Sequence, residues 1–292
     1  MLRIALPNKG RLSDETQELF SDAGLEVRTR GQRALTASLG GEFEALFVRA
    51  QDIPEFVADG AADAGVTGWD LVQESERPLE MLMDLEFGRC RLVLAAREES
   101  GIVSIDDIRG APRVATSFPR LTRRFFSDGG IAIDLVPVSG SAEIAPHIGI
   151  ADIVVDLAST GSTLRVNGLR EVTTILESTA RLICGRGACA SAAEADAGKA
   201  RALRELVDAL GSVLRARGKR YVMANVPRDA LDRVTAVLPG LNGPTVIDLL
   251  NGGSLVAVHA VVAAESIYRK IAELKSLGAQ GILVTRIERL MP

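Results

Sequence analysis

The sequence predicts an α/β chain that ends in a module of different grammar, and three observations carry that reading. Short apolar runs of strand length alternate with helical repeats from Leu2 to about residue 176, the pattern of strands joined by crossover helices. Small, polar and charged residues gather just after several of those runs, where an open α/β sheet receives its ligands. From Arg220 onward the order becomes strand, helix, strand, strand, helix, strand, the ferredoxin-like βαββαβ arrangement.

Leu2 to Leu6 is an apolar strand that runs into Pro7-Asn8-Lys9-Gly10-Arg11-Leu12, where Pro and Gly block regular structure. Ser13 with Asp14 and Glu15 marks a helix start, and Leu12, Thr16, Leu19 and Phe20 supply its apolar face. Phe43 to Arg49 is a second strand, and Asp52-Ile53-Pro54 opens a helix with Pro in its first turn. Ala64 to Val66 is a strand core, and Thr67-Gly68 turns into a helix from Trp69 to Glu74. Val93 to Ala96 is a strand, Ile105 to Ile108 a helical turn, and Arg113 to Pro119 a strand and loop. A helix over Thr122 to Phe126, a strand over Ile133 to Val138 and a helix over Ala142 to Gly149 follow.

Val172 to Ile175 and Ala180 to Cys184 read as paired strands that cross back to the first part of the chain. Ala192 to Arg217 is a long helix with Leu203, Leu206, Val207, Leu210, Val213 and Leu214 on one face, closed by Gly218. In the last module the strands are Arg220 to Val226, Thr245 to Leu250, Ser254 to Ala263 and Gly281 to Ile287. Its helices are Pro227 to Leu238 and Glu265 to Leu277, with the hairpin turn at Asn251-Gly252-Gly253.

One stretch carries chemistry in its spacing. Ile153 to Leu157 is a short apolar run suited to a strand buried on both faces, with Asp152 before it and Asp156 near its end. Ser159-Thr160-Gly161-Ser162-Thr163-Leu164 then forms a hydroxyl-rich turn opening a helix. Such a turn points several backbone N–H groups at one place and adds the positive end of the helix dipole. A phosphate monoester fits there, with Asp156 placed for the hydroxyls of the sugar that carries it: a cradle for ribose 5-phosphate. An ordinary turn with a capping Asp has the same residues. Lys9 and Arg11, after the first strand, are either anion ligands or solvated surface charges.

Composition narrows the classes. At 292 residues with 47% hydrophobic and 25% charged residues, the chain is a globular protein of two or three domains. A net charge of −4 offers no broad basic surface for nucleic acid. No apolar run reaches a membrane span, and the start has no long apolar run, so a cytoplasmic location is expected. Cys90, Cys184 and Cys189 are too sparse for a disulfide scaffold. His147 and His259 complete neither a zinc site nor a His-based triad.

Leu6-Pro7-Asn8-Lys9-Gly10-Arg11-Leu12, Val66-Thr67-Gly68-Trp69-Asp70, Phe87-Gly88-Arg89-Cys90-Arg91-Leu92, Ala115-Thr116-Ser117-Phe118-Pro119 and Ala151-Asp152 through Thr163-Leu164 occur in that order. With Leu238-Pro239-Gly240 and Pro244-Thr245, they resemble the ATP phosphoribosyltransferase family in its long, self-regulated form, over essentially the whole chain. Phe118 stands where a tyrosine is expected, which puts a hydroxyl contact in doubt but not an aromatic one.

The resemblance implies a two-lobed, periplasmic-binding-protein-like catalytic part plus the ferredoxin-like regulatory domain. Lobe I would take residues 1–92 and 179–217, lobe II residues 93–178, and the histidine-binding domain residues 218–292. The implied reaction transfers phosphoribosyl from 5-phosphoribosyl 1-diphosphate to N1 of ATP, with Mg2+ and feedback inhibition by histidine, in a homo-oligomer of dimer to hexamer size. Glu143, Asp152, Asp156, Ser159, Thr160, Gly161, Ser162, Thr163 and Leu164 would bind the phosphoribosyl donor. Lys9, Arg11, Arg49, Asp70, Cys90 and Phe118 would bind ATP. Asp156, Lys9 and Arg49 would act in catalysis, Asp152 and Asp156 at the metal, and Asn225, Thr245, Ala279 and Gly281 toward histidine.

An oxocarbenium-like C1 calls for positive charge on the leaving diphosphate rather than a covalent nucleophile, which agrees with a chain rich in arginine and poor in histidine. Two other readings remain at this stage: a phosphoribosyltransferase for another base, and a non-catalytic two-lobed binding or sensor protein.

Overall fold

The computed structural model describes residues 1–28, 35–40, 42–186, 197–250 and 253–291. The chain divides into two compact units, Met1–Val207 and Asp208–Pro292.

The first unit is built on two sheets. A seven-stranded sheet has the order β2-β3-β4-β1-β5-β12-β6. Its strands are β1 (Leu2–Pro7), β2 (Val27–Arg28), β3 (Thr36–Leu39), β4 (Phe43–Val48), β5 (Ala64–Gly68), β6 (Leu79–Asp84) and β12 (Ala180–Gly185). A five-stranded sheet has the order β11-β7-β10-β8-β9, from β7 (Cys90–Arg97), β8 (Arg113–Thr116), β9 (Asp134–Pro137), β10 (Ile153–Ala158) and β11 (Leu169–Ser178). Helices α1 (Ser13–Asp22), α2 (Ile53–Ala58) and α3 (Trp69–Ser75) follow strands of the first sheet. Helices α4 (Pro119–Asp128) and α5 (Ser162–Val166) follow strands of the second, and α6 covers Ala197–Ala216.

Parallel pairing sets where the ligand edges lie. β1 pairs in parallel with both β4 and β5, so Lys9, Arg49 and Asp70 all leave the sheet at one edge. In the second sheet β8 is parallel to β10 and β9, and antiparallel β7 pairs Leu92 with Leu157 and Arg91 with Ala158. The end of β8, the end of β10 and the start of β7 therefore share an edge. β10 is fully buried over Ile153, Val154 and Val155, as its unbroken apolar run requires.

Two chain crossings join the sheets, and they hydrogen-bond to each other. Ala180 N donates to Phe87 O at 2.9 Å, and Leu85 N donates to Ala180 O at 3.0 Å. Thr179 Oγ1 donates to Asp84 at 2.9 Å, and Arg181 forms an ion pair with the same carboxylate. Burial works against that carboxylate, but the Glu86 amide, Thr179 and Arg181 outweigh it and hold Asp84 below its usual range.

The second unit contains β13 (Lys219–Pro227), α7 (Leu231–Val237), β14 (Thr245–Asp248), β15 (Leu255–Ala263), α8 (Ile267–Ser276) and β16 (Gln280–Arg286). Its sheet order β14-β15-β13-β16, antiparallel throughout, is the ferredoxin-like one. One face is closed by a core that includes Val222, Val226, Val234, Val258 and Leu274.

Several expectations are corrected. The strands after residue 168 do not pair with each other: β11 joins β7, whereas β12 joins β5 and β6. Ala142 to Gly149 forms only a 3-10 turn over Ala142–Ile144, because Pro146 has no amide to continue a helix. β2, β3 and β6 were not legible as strands. Cys184 is disulfide-bonded, while Cys90 is free and buried. Residues 192–196 of the long helix and the Asn251-Gly252 turn lie outside the described residues. Among the described residues no helix is long and apolar enough to cross a membrane.

α2 packs on β5 at Gly65, where an added Cβ would come within 2.5 Å of an Ile53 methyl and 2.9 Å of a Val57 methyl. Gly65→Ala is expected to destabilise the fold by about 1–3 kcal/mol through overpacking. Denaturant titration checks this, and an unchanged midpoint would refute the contact.

Candidate active site

The strand–turn–helix from β10 to α5 builds a pocket. A cavity of about 160 Å3 is lined by Glu143, Asp156, Leu157, Ala158, Ser159, Thr160, Gly161, Thr163 and Leu164. Gly161 caps α5 with φ at +70°, a left-handed conformation that costs a side-chain-bearing residue energy. Thr160 and Ser162 hydroxyls bond to each other at 2.8 Å, and Leu164 anchors the turn in the core. Ser159, Thr160, Gly161 and Thr163 of the loop thus line a small concavity together with two carboxylates, Glu143 and Asp156, while Ser162 is not among the lining residues.

Among the described residues neither carboxylate forms an ion pair with a lysine or arginine. Burial raises the pKa of Asp156; the Leu157 amide, donating to Asp156 Oδ1 at 2.8 Å, lowers it, and the Glu143 charge raises it further. The net direction is upward, so the ionised form is under strain in the free protein. Asp152 is elsewhere. It immediately precedes β10, whose six residues separate it from the loop by roughly 20 Å at the usual strand rise. There it accepts from the Arg113 amide at 2.8 Å and pairs with the Arg113 guanidinium at 3.0 Å, which holds its pKa down. The structure does not bring Asp152 to the pocket.

The edge of the seven-stranded sheet gathers Lys9, Arg11, Arg49 and Asp70. Lys9, Arg11 and Arg49 are exposed. Arg11 donates to the Gly88 carbonyl, reaching from the loop after β1 to the crossing before β7. Asp70 is only 1% exposed and accepts from the Ser178 hydroxyl, while Ser178 Oγ also accepts from the Asp70 amide at 3.0 Å. A Cβ at Gly68 would strike that carboxylate, so the glycine makes room for it.

Cys90 is 2% exposed in the same cluster; burial, then the Asp70 charge, push its thiol up, against the lowering effects of Arg11 and Ser178. Nothing here activates a thiolate. Phe118 is 5% exposed and sits in a core cluster with Leu94, Leu121, Phe126 and Val155, beneath the edge rather than upon it.

Sequence reasoning missed Ser178 and the pair Arg91–Glu171. That ion pair, supported by Arg91 Nη1 to Thr174 at 3.1 Å, stands beside Gly161, whose absent Cβ would lie 4.0 Å from Glu171. No local signal marks these residues, because their partners are far away in sequence. In the second unit Asn225 and Gly281 adjoin, the Asn225 amide nitrogen lying 3.7 Å from where a Gly281 Cβ would be. Thr245 is two strands away, opposite His259, which bonds to Tyr221 at 2.7 Å. Ala279 precedes β16.

Comparison with known proteins decides the family. The pattern described as ATP phosphoribosyltransferase (HisG) matches residues 49–211, and that described as HisG, C-terminal domain, matches residues 216–289. The chain belongs to the ATP phosphoribosyltransferase family.

Curated relatives named ATP phosphoribosyltransferase include one from Gemmatimonas aurantiaca, 68% identical over 100% of both chains. Another, from Natronomonas pharaonis, is 49% identical over 100% of both. Among solved structures, the ATP phosphoribosyl transferase (HisG:HisZ) complex from Thermotoga maritima matches with a TM-score of 0.63 and 27% identity, covering 72% of this chain and 96% of that one. The two-lobed α/β class and the C-terminal module agree with this family.

Because folding raises the Asp156 pKa, its ionised form costs stability at neutral pH. That cost fades as the pH falls through the raised pKa toward the ordinary carboxylate value. Asp156→Asn is therefore expected to raise Tm at pH 7 by about 1–3 °C, with the gap closing at acid pH. Calorimetry at both pH values checks it, and a destabilised variant at pH 7 would contradict the assignment.

Proposed function

We propose that the chain transfers phosphoribosyl from 5-phosphoribosyl 1-diphosphate to N1 of ATP, giving 1-(5-phosphoribosyl)-ATP and diphosphate. Besides family membership, the observation that carries this reading is the pocket that Glu143 and Asp156 line together with Ser159, Thr160, Gly161 and Thr163. Loop amides and the hydroxyls of Ser159, Thr160, Ser162 and Thr163 hold the 5-phosphate. Asp156 and Glu143 accept hydrogen bonds from the ribose hydroxyls, which offsets the burial that works against the ionised form of Asp156.

Lys9, Arg11 and Arg49, on the edge of the seven-stranded sheet, take the phosphates of ATP and the departing diphosphate. The N1 lone pair attacks C1, and the bond to the diphosphate oxygen breaks with its electron pair leaving on that oxygen. Holding both anions in line supplies much of the rate, and fixed cations at the leaving group supply more. Asp70 acts through its buried bond to Ser178, shaping the floor beneath this edge.

Two half-buried carboxylates lining one pocket fit Mg2+, a hard ion that binds through few carboxylates and keeps water and phosphate oxygens as its other ligands. Among the described residues no group of three or more metal-binding side chains occurs, which agrees with an ion brought in largely by the donor. When bound, Mg2+ neutralises charge on the diphosphate. Catalysis is assigned to residues 1–92 with 179–217 on one side and 93–178 on the other. Residues 218–292 are assigned to histidine, with Asn225, Ala279 and Gly281 in contact and Thr245 farther along the sheet, in a homo-oligomer.

Absorbance of phosphoribosyl-ATP, followed with both substrates and Mg2+ and with histidine added last, tests the whole reading; no product would overturn it. Asp156→Asn is expected to lower kcat/KM about a hundredfold, and unchanged kinetics would remove that carboxylate from the mechanism. Asn225→Ala is expected to raise the half-inhibitory histidine concentration about tenfold, on the order of one lost hydrogen bond. The uninhibited rate should stay constant; unaltered inhibition would move the effector site elsewhere.

A further inference from the structure

Helix α4 has no cap of its own. Its N-cap residue is Phe118, which makes no side-chain capping bond, and Pro119 occupies the first turn. The next two amides still need acceptors. One carboxylate from outside the helix supplies both: Glu74 Oε1 accepts from Arg120 N at 2.9 Å, and Glu74 Oε2 accepts from Leu121 N at 2.9 Å. Glu74 lies near the end of α3, which follows β5 of the seven-stranded sheet, whereas α4 follows β8 of the five-stranded sheet.

The exchange is reciprocal. The Arg120 guanidinium donates to the carbonyl oxygens of Glu74 at 3.2 Å and Ser75 at 2.7 Å, in the last turn of α3. Arg120 also faces Glu76 at 3.8 Å, and Arg124 reaches Gln73 at 3.5 Å. Each helix thus provides the end group that the other lacks, carboxylate at an N-terminus and guanidinium at a C-terminus, the signs that helix dipoles favour. Leu71 of α3 adds apolar contact with the core of the five-stranded sheet.

We propose that Glu74 is a positioning residue for phosphoribosyl transfer, capping α4 from α3 so that the ligand edges of the two sheets stay in register. The proposal rests on the reading above, in which the sugar donor is held at the edge of one sheet and the ATP phosphates at the other. β8 lies beside β10, so the loop between β8 and α4 leaves the sheet next to the donor pocket. A clasp at the start of α4 therefore anchors that side of the pocket to the sheet that carries Lys9, Arg11 and Arg49. In-line displacement punishes misalignment of even about 1 Å.

Amide hydrogen exchange and steady-state kinetics on the same preparations of wild type and Glu74→Gln test this. The glutamine keeps the volume but loses the charge and one acceptor. The Arg120 and Leu121 amides are expected to be protected in wild type and to exchange about tenfold faster in the variant, as for one lost charge-assisted bond. Turnover should fall about tenfold while the donor KM, set within one sheet, stays within about twofold. Arg120→Met should lower kcat similarly, and the double variant should lose less than the product of the two, since both act through one clasp.

Amides that exchange equally fast in both proteins would overturn the clasp. Faster exchange with unchanged kcat, or multiplicative losses, would overturn the positioning role. Wild type that is protected at both amides yet makes no product would overturn the functional reading, and the role in transfer with it, while exchange still reports the clasp. If Glu74→Gln does not fold, Arg120→Met reads the same clasp from the other helix by the same criteria.

Discussion

The pairing of β10 is the constraint on which the candidate site depends. With antiparallel β7 on one side and parallel β8 on the other, its register is fixed twice. Both faces are buried over Ile153 to Val155, so a slip by one residue would turn Asp156 to the other side of the sheet. The pocket therefore follows from backbone geometry before any of its polar groups is considered. Hydroxyls and amides after Ala158 can only emerge beside the start of β7 and the end of β8.

Around that fixed strand, the two sheets meet through residues distant in sequence. Asp70 and Ser178 are 108 positions apart and bond in a buried site, next to the crossings that hydrogen-bond at Leu85, Phe87 and Ala180. A buried carboxylate held by a hydroxyl is costly to leave unpaired. The junction is thus polar and specific, where a purely apolar contact would allow the sheets to slide. Arg11, spanning from the loop after β1 to Gly88, ties the same junction to the edge that carries the cations.

What could be read from the sequence follows the range of the interactions involved. The pocket was legible because Asp156 and residues 159–164 are contiguous, and strand, turn and helix start each have a local signal. The ferredoxin-like module was legible because its strands alternate cleanly, as in β15 with every second residue buried. β6 was not, since Leu79-Glu80-Met81-Leu82-Met83-Asp84 has no β-branched residue and owes its extended form to β12. β11 and β12 look like a hairpin in one dimension, because only their partners decide which sheet each joins. Asp152 and Asp156 look equivalent in sequence, and the strand carries them to opposite edges. Glu143 joins the pocket by tertiary placement of a 3-10 turn that sequence reads as a helix.

On the proposed function, the two half-buried carboxylates would make this pocket favour a sugar phosphate over a bare phosphate. A site of amides and hydroxyls alone would hold inorganic phosphate as well as a sugar phosphate. Glu143 and Asp156 penalise a small anion, because their charges repel it and nothing on it can donate to them. A ribose brings hydroxyl donors, so on the same reading the sugar would relieve the strain that raises the Asp156 pKa. On that reading binding energy would be released only when sugar and phosphate arrive together, which favours a sugar phosphate over inorganic phosphate.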